Sequence, residues 1–177
     1  MALPSEIAAM PEVWLRGAIS GVPPALMPVV HSLMQVREEL ETTIPSLSRE
    51  QLWARPGGAA SIGFHLKHLA GSLDRLLTYA RGEALNATQL AVLDVEEGPG
   101  SEEPWQLLQA ALMQIDAGLK QTRDTPVTTL DEPRSVGRAA LPSTVRGLLF
   151  HAAEHAQRHA GQIVTTSKLM SGWRSPR

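Results

Sequence analysis

Residues 61–81 read SIGFHLKHLAGSLDRLLTYAR, and this stretch carries the clearest helical signal of the sequence. Ser61 is a favourable N-cap, and Gly82 follows at the point where a helix would end. The apolar side chains recur three and four residues apart, a spacing that places them on one helical face. They are Ile62, Leu66, Leu69, Leu73, Leu76 and Ala80. The stretch therefore predicts a long amphipathic helix with one face in a core.

Three other segments have helical periodicity, at about residues 23–43, 101–123 and 143–169, the last of them opening at Ser143. A short helical turn is expected over residues 47–53. The core face of the third long helix is expected to contain Trp105, Leu108, Leu112, Ile115 and Leu119. Long connections follow the second and third helices, and strand signals are nearly absent. These features predict an all-α fold, a four-helix bundle.

The length and composition fit one domain over residues 1–177. With 43% apolar residues, a chain of this size can bury a substantial core without disulfides. Residues 1–22 are expected to form an N-terminal arm, and residues 171–177 a loose tail in which only Trp173 has a reason to dock. The four predicted helices lie between these two segments.

Charge and hydropathy exclude several classes of function. The 16 Lys and Arg residues are mixed with 18 Asp and Glu residues, so no basic stripe suits a nucleic acid. The uncharged run 17–36 is broken by glycine, prolines and a histidine, which favours an arm and a helix over a membrane span. Residues 1–16 lack the apolar core of a signal peptide. We therefore expect a cytoplasmic protein that binds neither nucleic acid nor membrane.

The histidines carry the strongest chemical signal. The chain has no cysteine, so any metal must be held by His, Asp or Glu. Among six histidines, His151, His155 and His159 lie four residues apart in the last predicted helix. Residues i and i+4 project from one side of a helix, so two imidazoles can converge on one ion. His155 and His159 lie at the edge of the predicted buried face, whereas His151 is further round.

A third ligand is expected from the second helix, because two ligands hold a divalent ion poorly. His65 and His68 both lie on the same flank of that helix, about 60° and about 120° from the centre of its apolar stripe. Periodicity slightly favours His65 and does not decide between the two. His31, in the first helix, is interpreted as an ordinary bundle residue that could face the cavity.

Two segments resemble signatures of the DinB-like (DinB/YfiT) superfamily. Residues 61–71 resemble its second-helix signature, in which the histidine before Leu-Ala is a metal ligand. Residues 151–163 resemble its last-helix signature, in which two ligand histidines four apart precede Gly-Gln-Ile. The segments Leu52-Trp53 and Pro56-Gly57-Gly58 add to the similarity. Matched residue by residue, the resemblance implies the ligand set His68, His155 and His159.

The resemblance also implies a homodimeric four-helix bundle with one divalent metal on three histidines and water completing its coordination. Some relatives are thiol-dependent transferases or isomerases that use bacillithiol or mycothiol, and others are called metal-dependent hydrolases. An all-nitrogen triad suits several divalent ions, of which we expect Ni or Zn, with Fe, Co and Mn as alternatives. A low-molecular-weight thiol is the cosubstrate that this resemblance suggests.

We therefore expect an ion on these histidines to activate a thiol, or else water, for attack on a small electrophilic substrate. Three neutral imidazoles leave the ion its full double charge, which lowers the pKa of a bound thiol or water toward neutrality. Thiol transfer is the first expectation and hydrolysis the second. A metal-binding or dimerisation bundle without turnover is the third. No catalytic side chain is assigned.

Several other residues have two interpretations. His151 is expected to support the ligands from outside or to lie on the surface. Trp14 and Arg16, in the arm, either fold over the mouth of the site or cover exposed core. Trp53 and Trp105 are expected in the core or at an interface. A solvated face is expected to carry the basic residues Arg146, Arg158 and Lys168, although one arginine near the pocket could bind a carboxylate of a thiol cosubstrate.

Overall fold

The structure is a computed structural model, and it describes residues 11–171. Over this range the helices are α1 (Met27–Thr43), α2 (Arg49–Trp53), α3 (Ile62–Ala80), α4 (Ala87–Asp94), α5 (Pro104–Asp124) and α6 (Val145–Ser171). Two short strands, β1 (Pro133–Val136) and β2 (Leu141–Thr144), precede α6. None of the helices in this range combines the length and the apolarity that crossing a membrane requires.

The four long helices α1, α3, α5 and α6 form a bundle. Both α1 and α3 pack against α5 and α6, so each long helix has two long neighbours. One continuous buried cluster joins them, and the fully buried side chains at its centre include Leu33, Leu66, Leu73, Ile115 and Leu149. Burying such side chains is the main source of stability in a bundle, at about 1.5–3 kcal/mol each. The prediction of an all-α helical bundle is confirmed.

Side-chain caps explain where the site-bearing helices begin. Ser61 accepts a hydrogen bond from the backbone N–H of Phe64 at 3.1 Å, so α3 begins where the sequence predicts. Thr144 accepts one from the backbone N–H of Gly147 at 3.0 Å. The predicted start of the last helix at Ser143 is therefore wrong by two residues, because Ser143 still belongs to β2.

The long connection after α3 is not irregular throughout. Asn86 and Gln89 form a capping box at the start of α4, a helix that the sequence analysis did not predict. The buried Gln89 amide also donates to the Asp74 carboxylate at 3.0 Å and to the Thr78 hydroxyl at 2.8 Å. These bonds fasten α4 to α3 and thereby place the residues that follow α4.

The connection before α6 contains a β-hairpin, so the expectation of no strands is wrong there. The strands are antiparallel, with Pro133 opposite Thr144 and Val136 opposite Leu141. Gly137 and Ala140 bound the turn with positive φ angles of 68° and 49°. Each strand has four residues and one of them contains Pro142, so neither shows the alternating apolar pattern by which strands are recognised.

The described part of the N-terminal arm lies along α1. Val13 is buried, and its backbone N–H donates to the Gln35 side chain at 2.9 Å. Arg16 forms an ion pair with Glu38 at 2.6 Å. Trp14 is 61% exposed and lines a cavity of about 550 Å³ bordered chiefly by α1. This cavity is not lined by the α3 histidines, so the position of Trp14 favours a cover for α1 over a lid on the site.

Two tryptophan predictions have different outcomes. Trp53 is half-buried and packs against the core cluster. Trp105 is 63% exposed, so its predicted place on the core face of α5 is wrong. It stands at the second residue of that helix, before its first buried positions, Leu107 and Leu108. The tail residue Trp173, and residues 1–10 of the arm, lie outside the described residues.

Candidate metal centre

Three histidine side chains from two helices converge between α3 and α6. The Nε2 atom of His155 lies 3.1 Å from Nε2 of His68 and 3.2 Å from Nε2 of His159. His155 and His159 are one helical turn apart on α6, and His68 faces them from α3. These residues form a group that could hold a metal ion, with one nitrogen from each ring lying within 4.8 Å of the others.

The spacing of the nitrogens fits a tetrahedral ion. Two imidazole nitrogens bound to Zn at 2.0–2.1 Å lie roughly 3.3 Å apart when the angle between them is tetrahedral. The two measured Nε2 separations are within about 0.2 Å of that value. Three ligands in this arrangement leave one position for an exogenous group, as catalytic zinc sites do.

Burial favours the neutral form of His155 and His159. Burial, with the charges of His155, His68 and His65, lowers the pKa of His159 to about 3. The pKa of His155 is also lowered, first by burial and then by the charges of His68 and His151. A neutral imidazole has a free nitrogen lone pair, and a metal ion needs that lone pair.

A buried carboxylate orients His68. Nδ1 of His68 lies 2.8 Å from Oε2 of Glu96, whose side chain is 3% exposed. A carboxylate at this distance accepts the Nδ1 proton, which leaves Nε2 as the unprotonated nitrogen of the neutral ring. Burial alone would raise the pKa of Glu96, but hydrogen bonds and charge interactions with His68 and Arg75 together lower it. Glu96 is therefore an anion beside the cluster.

His65 supports the cluster from a different side. Its Nδ1 atom lies 2.9 Å from Nδ1 of His159, the ring nitrogen that is not the one in contact with His155. Burial, with the charge of His68, lowers the pKa of His65. Periodicity did not decide between His65 and His68; in the structure His68 contacts His155 through Nε2, whereas His65 contacts His159 through Nδ1. Nδ1 of His155 is buried and has no hydrogen-bond partner.

The remaining described histidines lie outside the group. His151 is exposed and its Nδ1 atom is 2.7 Å from the Glu154 carboxylate, although its ring still neighbours that of His155 at 5.3 Å. His31 is on α1, where Nε2 lies 3.0 Å from the backbone carbonyl of Gly17. Both positions agree with the surface and bundle interpretations of these residues.

Phe64 borders both the histidine cluster and a small cavity. The ring of Phe64 stacks on that of His68, with centroids 5.5 Å apart and an angle of 14° between the planes. Phe64 also lines a cavity of about 290 Å³, together with Trp53, Arg55 and Ser61. The arginine at this cavity is Arg55. The basic residues of α6 are exposed, and their partners include Asp131 for Arg146 and Glu154 for Arg158.

The sequence analysis missed Glu96, the acidic residue closest to the cluster. It lies just after α4, in the segment that the sequence analysis predicted only as a long connection. Two signals could have pointed to it. Asn86 and Gln89 have capping-box spacing, which predicts a helix in the connection, and Gly71 interrupts an otherwise strong helical segment.

The fold and the site define a helical bundle with a three-histidine group, between two of its helices, that could hold a metal ion. Comparison with protein families matches residues 32–163 to the DinB superfamily. The chain therefore belongs to the DinB superfamily, and the matched range includes all the residues of the histidine cluster and Glu96. Comparison with curated proteins gives no match.

Proposed function

We propose that this protein binds one divalent transition metal ion through His68, His155 and His159, and uses it to activate a thiol for attack on a small electrophile. The observation that supports this most strongly is the convergence of three Nε2 atoms at distances that suit one ion. Ni and Zn are the ions we propose first, because both accept all-nitrogen ligand sets.

The protein residues shape the reactivity of the site. A divalent ion there would supply Lewis acidity, lowering the pKa of a coordinated thiol or water toward neutrality. Burial disfavours the cationic form of His155 and His159, and a neutral imidazole, unlike a carboxylate ligand, adds no negative charge that would weaken this effect. Glu96 holds the Nδ1 proton of His68 and so directs Nε2 at the site. Phe64 covers one face of the His68 ring and limits access of water there.

The cavity beside Phe64 supports a small substrate. Its volume of about 290 Å³ is at the lower end of the range for small-molecule pockets. Arg55 lines it and donates through Nε to the backbone carbonyl of Ala59 at 3.2 Å, which fixes the guanidinium at the cavity wall. A guanidinium binds carboxylates well, so we propose that Arg55 receives a carboxylate of the thiol cosubstrate or of the electrophile.

One observation favours a metal-binding role without turnover as the second candidate. In the described part of the chain, Glu96 is the carboxylate recorded in contact with the histidine group, and it is already bonded to His68 and Arg75. A carboxylate held in this way directs its oxygens at His68 and Arg75, which does not favour a role as a general base. We also propose that the protein is a homodimer, which the resemblance to the family supports. We propose a cytoplasmic location for it.

The test begins with metal content. Untagged protein is purified without chelator, and elemental mass spectrometry is applied to the wild type and to His68→Ala, His155→Ala and His159→Ala. About one equivalent of a transition metal in the wild type, with loss in each variant, would support the site. No metal, even after Zn or Ni is offered, would overturn the proposal.

Activity assays then separate the candidate functions. The metal-loaded protein is given a chromogenic electrophile with bacillithiol, mycothiol or glutathione, and separately an ester without thiol. Metal-dependent conjugation supports thiol transfer, whereas ester turnover without thiol supports hydrolysis in its place. Tight binding and a higher melting temperature without either activity support the role without turnover.

A further inference from the structure

We propose that Glu96 is a positioning residue for the metal site: it fixes the tautomer and the orientation of His68 and is itself held in place by one face of α3. The inference rests on the proposed function, since it assigns a role toward the ion that His68 would bind. It concerns a residue from the connection after α4, outside the helices that carry the three histidines.

The Glu96 carboxylate has no freedom to turn away from His68. Oε2 accepts from Nδ1 of His68 at 2.8 Å and from Nη2 of Arg75 at 3.3 Å, and Oε1 accepts from Nη1 of Arg75 at 2.5 Å. The Arg75 and Glu96 side chains are 11% and 3% exposed, so the pair is shielded from water. Both carboxylate oxygens are thus occupied, and the His68 contact is part of a buried network.

A glycine in α3 makes room for this carboxylate. A Cβ atom on Gly71 would lie 2.1 Å from Oε1 of Glu96 and 2.8 Å from Nη1 of Arg75. Neither distance is compatible with a real contact, so any side chain at this position displaces the carboxylate. Glycine in the middle of a helix is unfavourable relative to alanine, and here the missing side chain is what allows the Glu96 carboxylate to approach α3.

The same face of α3 also fixes the backbone on both sides of Glu96. Nζ of Lys67 donates to the backbone carbonyl of Val95 at 2.6 Å and to that of Gly98 at 3.3 Å. Lys67, Gly71 and Arg75 are spaced four residues apart and therefore share one side of the helix. Three consecutive turns of α3 thus contact the segment 95–98, and His68 lies beside the first of them.

This arrangement is what a metal-binding histidine requires from its surroundings. A carboxylate on the far nitrogen fixes the tautomer, restrains the ring and raises the basicity of the ligating nitrogen, and its loss lowers metal affinity about 10- to 100-fold. The sequence separation of 28 residues between His68 and Glu96 shows that the contact depends on the tertiary fold. It is not a consequence of local helix geometry.

The experiment measures metal affinity and the spectrum of the bound ion. Co²⁺ and Zn²⁺ are titrated into the wild type, into Glu96→Gln and into Glu154→Gln, with a competing chelator as indicator. Glu154 is the matched control because it makes a similar carboxylate contact, at 2.7 Å, to His151. We expect Glu96→Gln to lower the affinity for both ions about 10- to 100-fold and to shift the visible absorption bands of bound Co²⁺. We expect Glu154→Gln to change the affinity less than about threefold.

A second set of variants distinguishes loss of the Glu96 contact from misfolding of the variant protein. Glu96→Gln leaves Arg75 as a buried charge without a counterion, so the double variant Glu96→Gln/Arg75→Met is titrated as well. Gly71→Ala displaces the carboxylate without altering any ionisable group. Its control is Gly161→Ala on α6, where a Cβ atom meets nothing within 4 Å. We expect Gly71→Ala and the double variant to bind the ions more weakly, and Gly161→Ala to bind them as the wild type does.

The outcomes separate this inference from the proposed function. If the wild type binds metal and folded Glu96→Gln and Gly71→Ala variants bind it equally well with unchanged Co²⁺ bands, Glu96 has no positioning role and the proposed function stands. If the wild type binds neither ion, the proposed function fails and this inference fails with it. Weaker binding in Glu96→Gln, the double variant and Gly71→Ala, with both controls unchanged, supports it.

Discussion

The inner and outer faces of α6 carry the same residue type at the same spacing in opposite surroundings. His155 and His159 face α3, where burial lowers the pKa of both rings and Nε2 atoms converge. His151, one turn earlier, is exposed and contacts Glu154 on its own helix. The three histidines therefore share a spacing of four residues, but only two of them, His155 and His159, face α3. The contrast shows that helix packing, more than spacing, creates the site.

Metal stoichiometry should show the largest difference between the two faces. His159→Ala removes one of three nitrogens and should reduce bound metal from about one equivalent to nearly none, because two histidines hold a divalent ion poorly. His151→Ala should retain the metal. Elemental mass spectrometry on both proteins, purified side by side, measures this difference. Equal metal content in the two variants would contradict the assignment of the inner face.

The second largest difference is expected in how much the ion pair of each face contributes to the free energy of unfolding. Arg75→Met leaves Glu96 buried without its arginine partner, and breaking a buried pair in this way costs about 3–5 kcal/mol. Glu154→Gln breaks an exposed pair with Arg158 on the outer face and should cost less than about 0.5 kcal/mol. Urea unfolding of both variants measures the free energies of unfolding. Similar losses would mean that Arg75 and Glu96 are not shielded from solvent.

Low pH should destabilise the metal-free protein because His159, on the inner face of α6, is protonated more easily in the unfolded chain than in the fold. The pKa of His159 is about 3 in the fold and about 6.5 in the unfolded chain, so the unfolded state binds the proton first as pH falls. Stability is therefore complete above about pH 6.5 and is lost toward pH 3, and protonation of His159 in the unfolded chain should remove about 3 kcal/mol of it by pH 4.

Unfolding curves in chelator between pH 7 and about pH 4 test this expectation. His159→Gln should flatten the dependence of the free energy of unfolding on pH. The wild type, unfolded in parallel under the same conditions, is the reference for this slope. A wild-type slope in His159→Gln would show that burial does not hold this ring neutral.

The smallest expected effects are the changes in stability on substituting a glycine of α3 and a glycine of α6. A Cβ atom on Gly63 would lie 2.4 Å from the Trp53 ring, so Gly63→Ala overpacks the inner side of α3 and should cost about 1–3 kcal/mol. Gly161 has open space around it, and Gly161→Ala should stabilise α6 by about 0.5–1 kcal/mol. Thermal unfolding measures both. The expectation fails if the two substitutions shift the melting temperature in the same direction.

The long helices were predictable from sequence because each has a stripe of apolar residues and a recognisable start. Ser61 is both a strong N-cap in the sequence and the observed cap of α3. The histidine pair on α6 was likewise visible as a spacing. Trp105 shows the limit of this approach, because an apolar residue in the first turn satisfies the periodicity and is still 63% exposed.

The rest of the site depends on tertiary contacts that no local pattern encodes. Glu96 is one of two adjacent acids in a connection, and only the docking of α4 through Gln89 brings it to His68. The choice between His65 and His68 has the same origin, because the two rings differ in which side of the α6 pair they contact. The hairpin was missed because its short strands lack alternation.

The distance along the chain between the site histidines has a mechanical consequence. His68 and His155 are 87 residues apart in sequence, and an ion held by both would be a covalent-like cross-link across half of the chain. Closing a loop of this length removes chain entropy from the unfolded state worth about 4 kcal/mol. The chain has no cysteine with which to make a disulfide. The metal would then also act as a cross-link between α3 and α6, and its release would weaken the packing of these two helices.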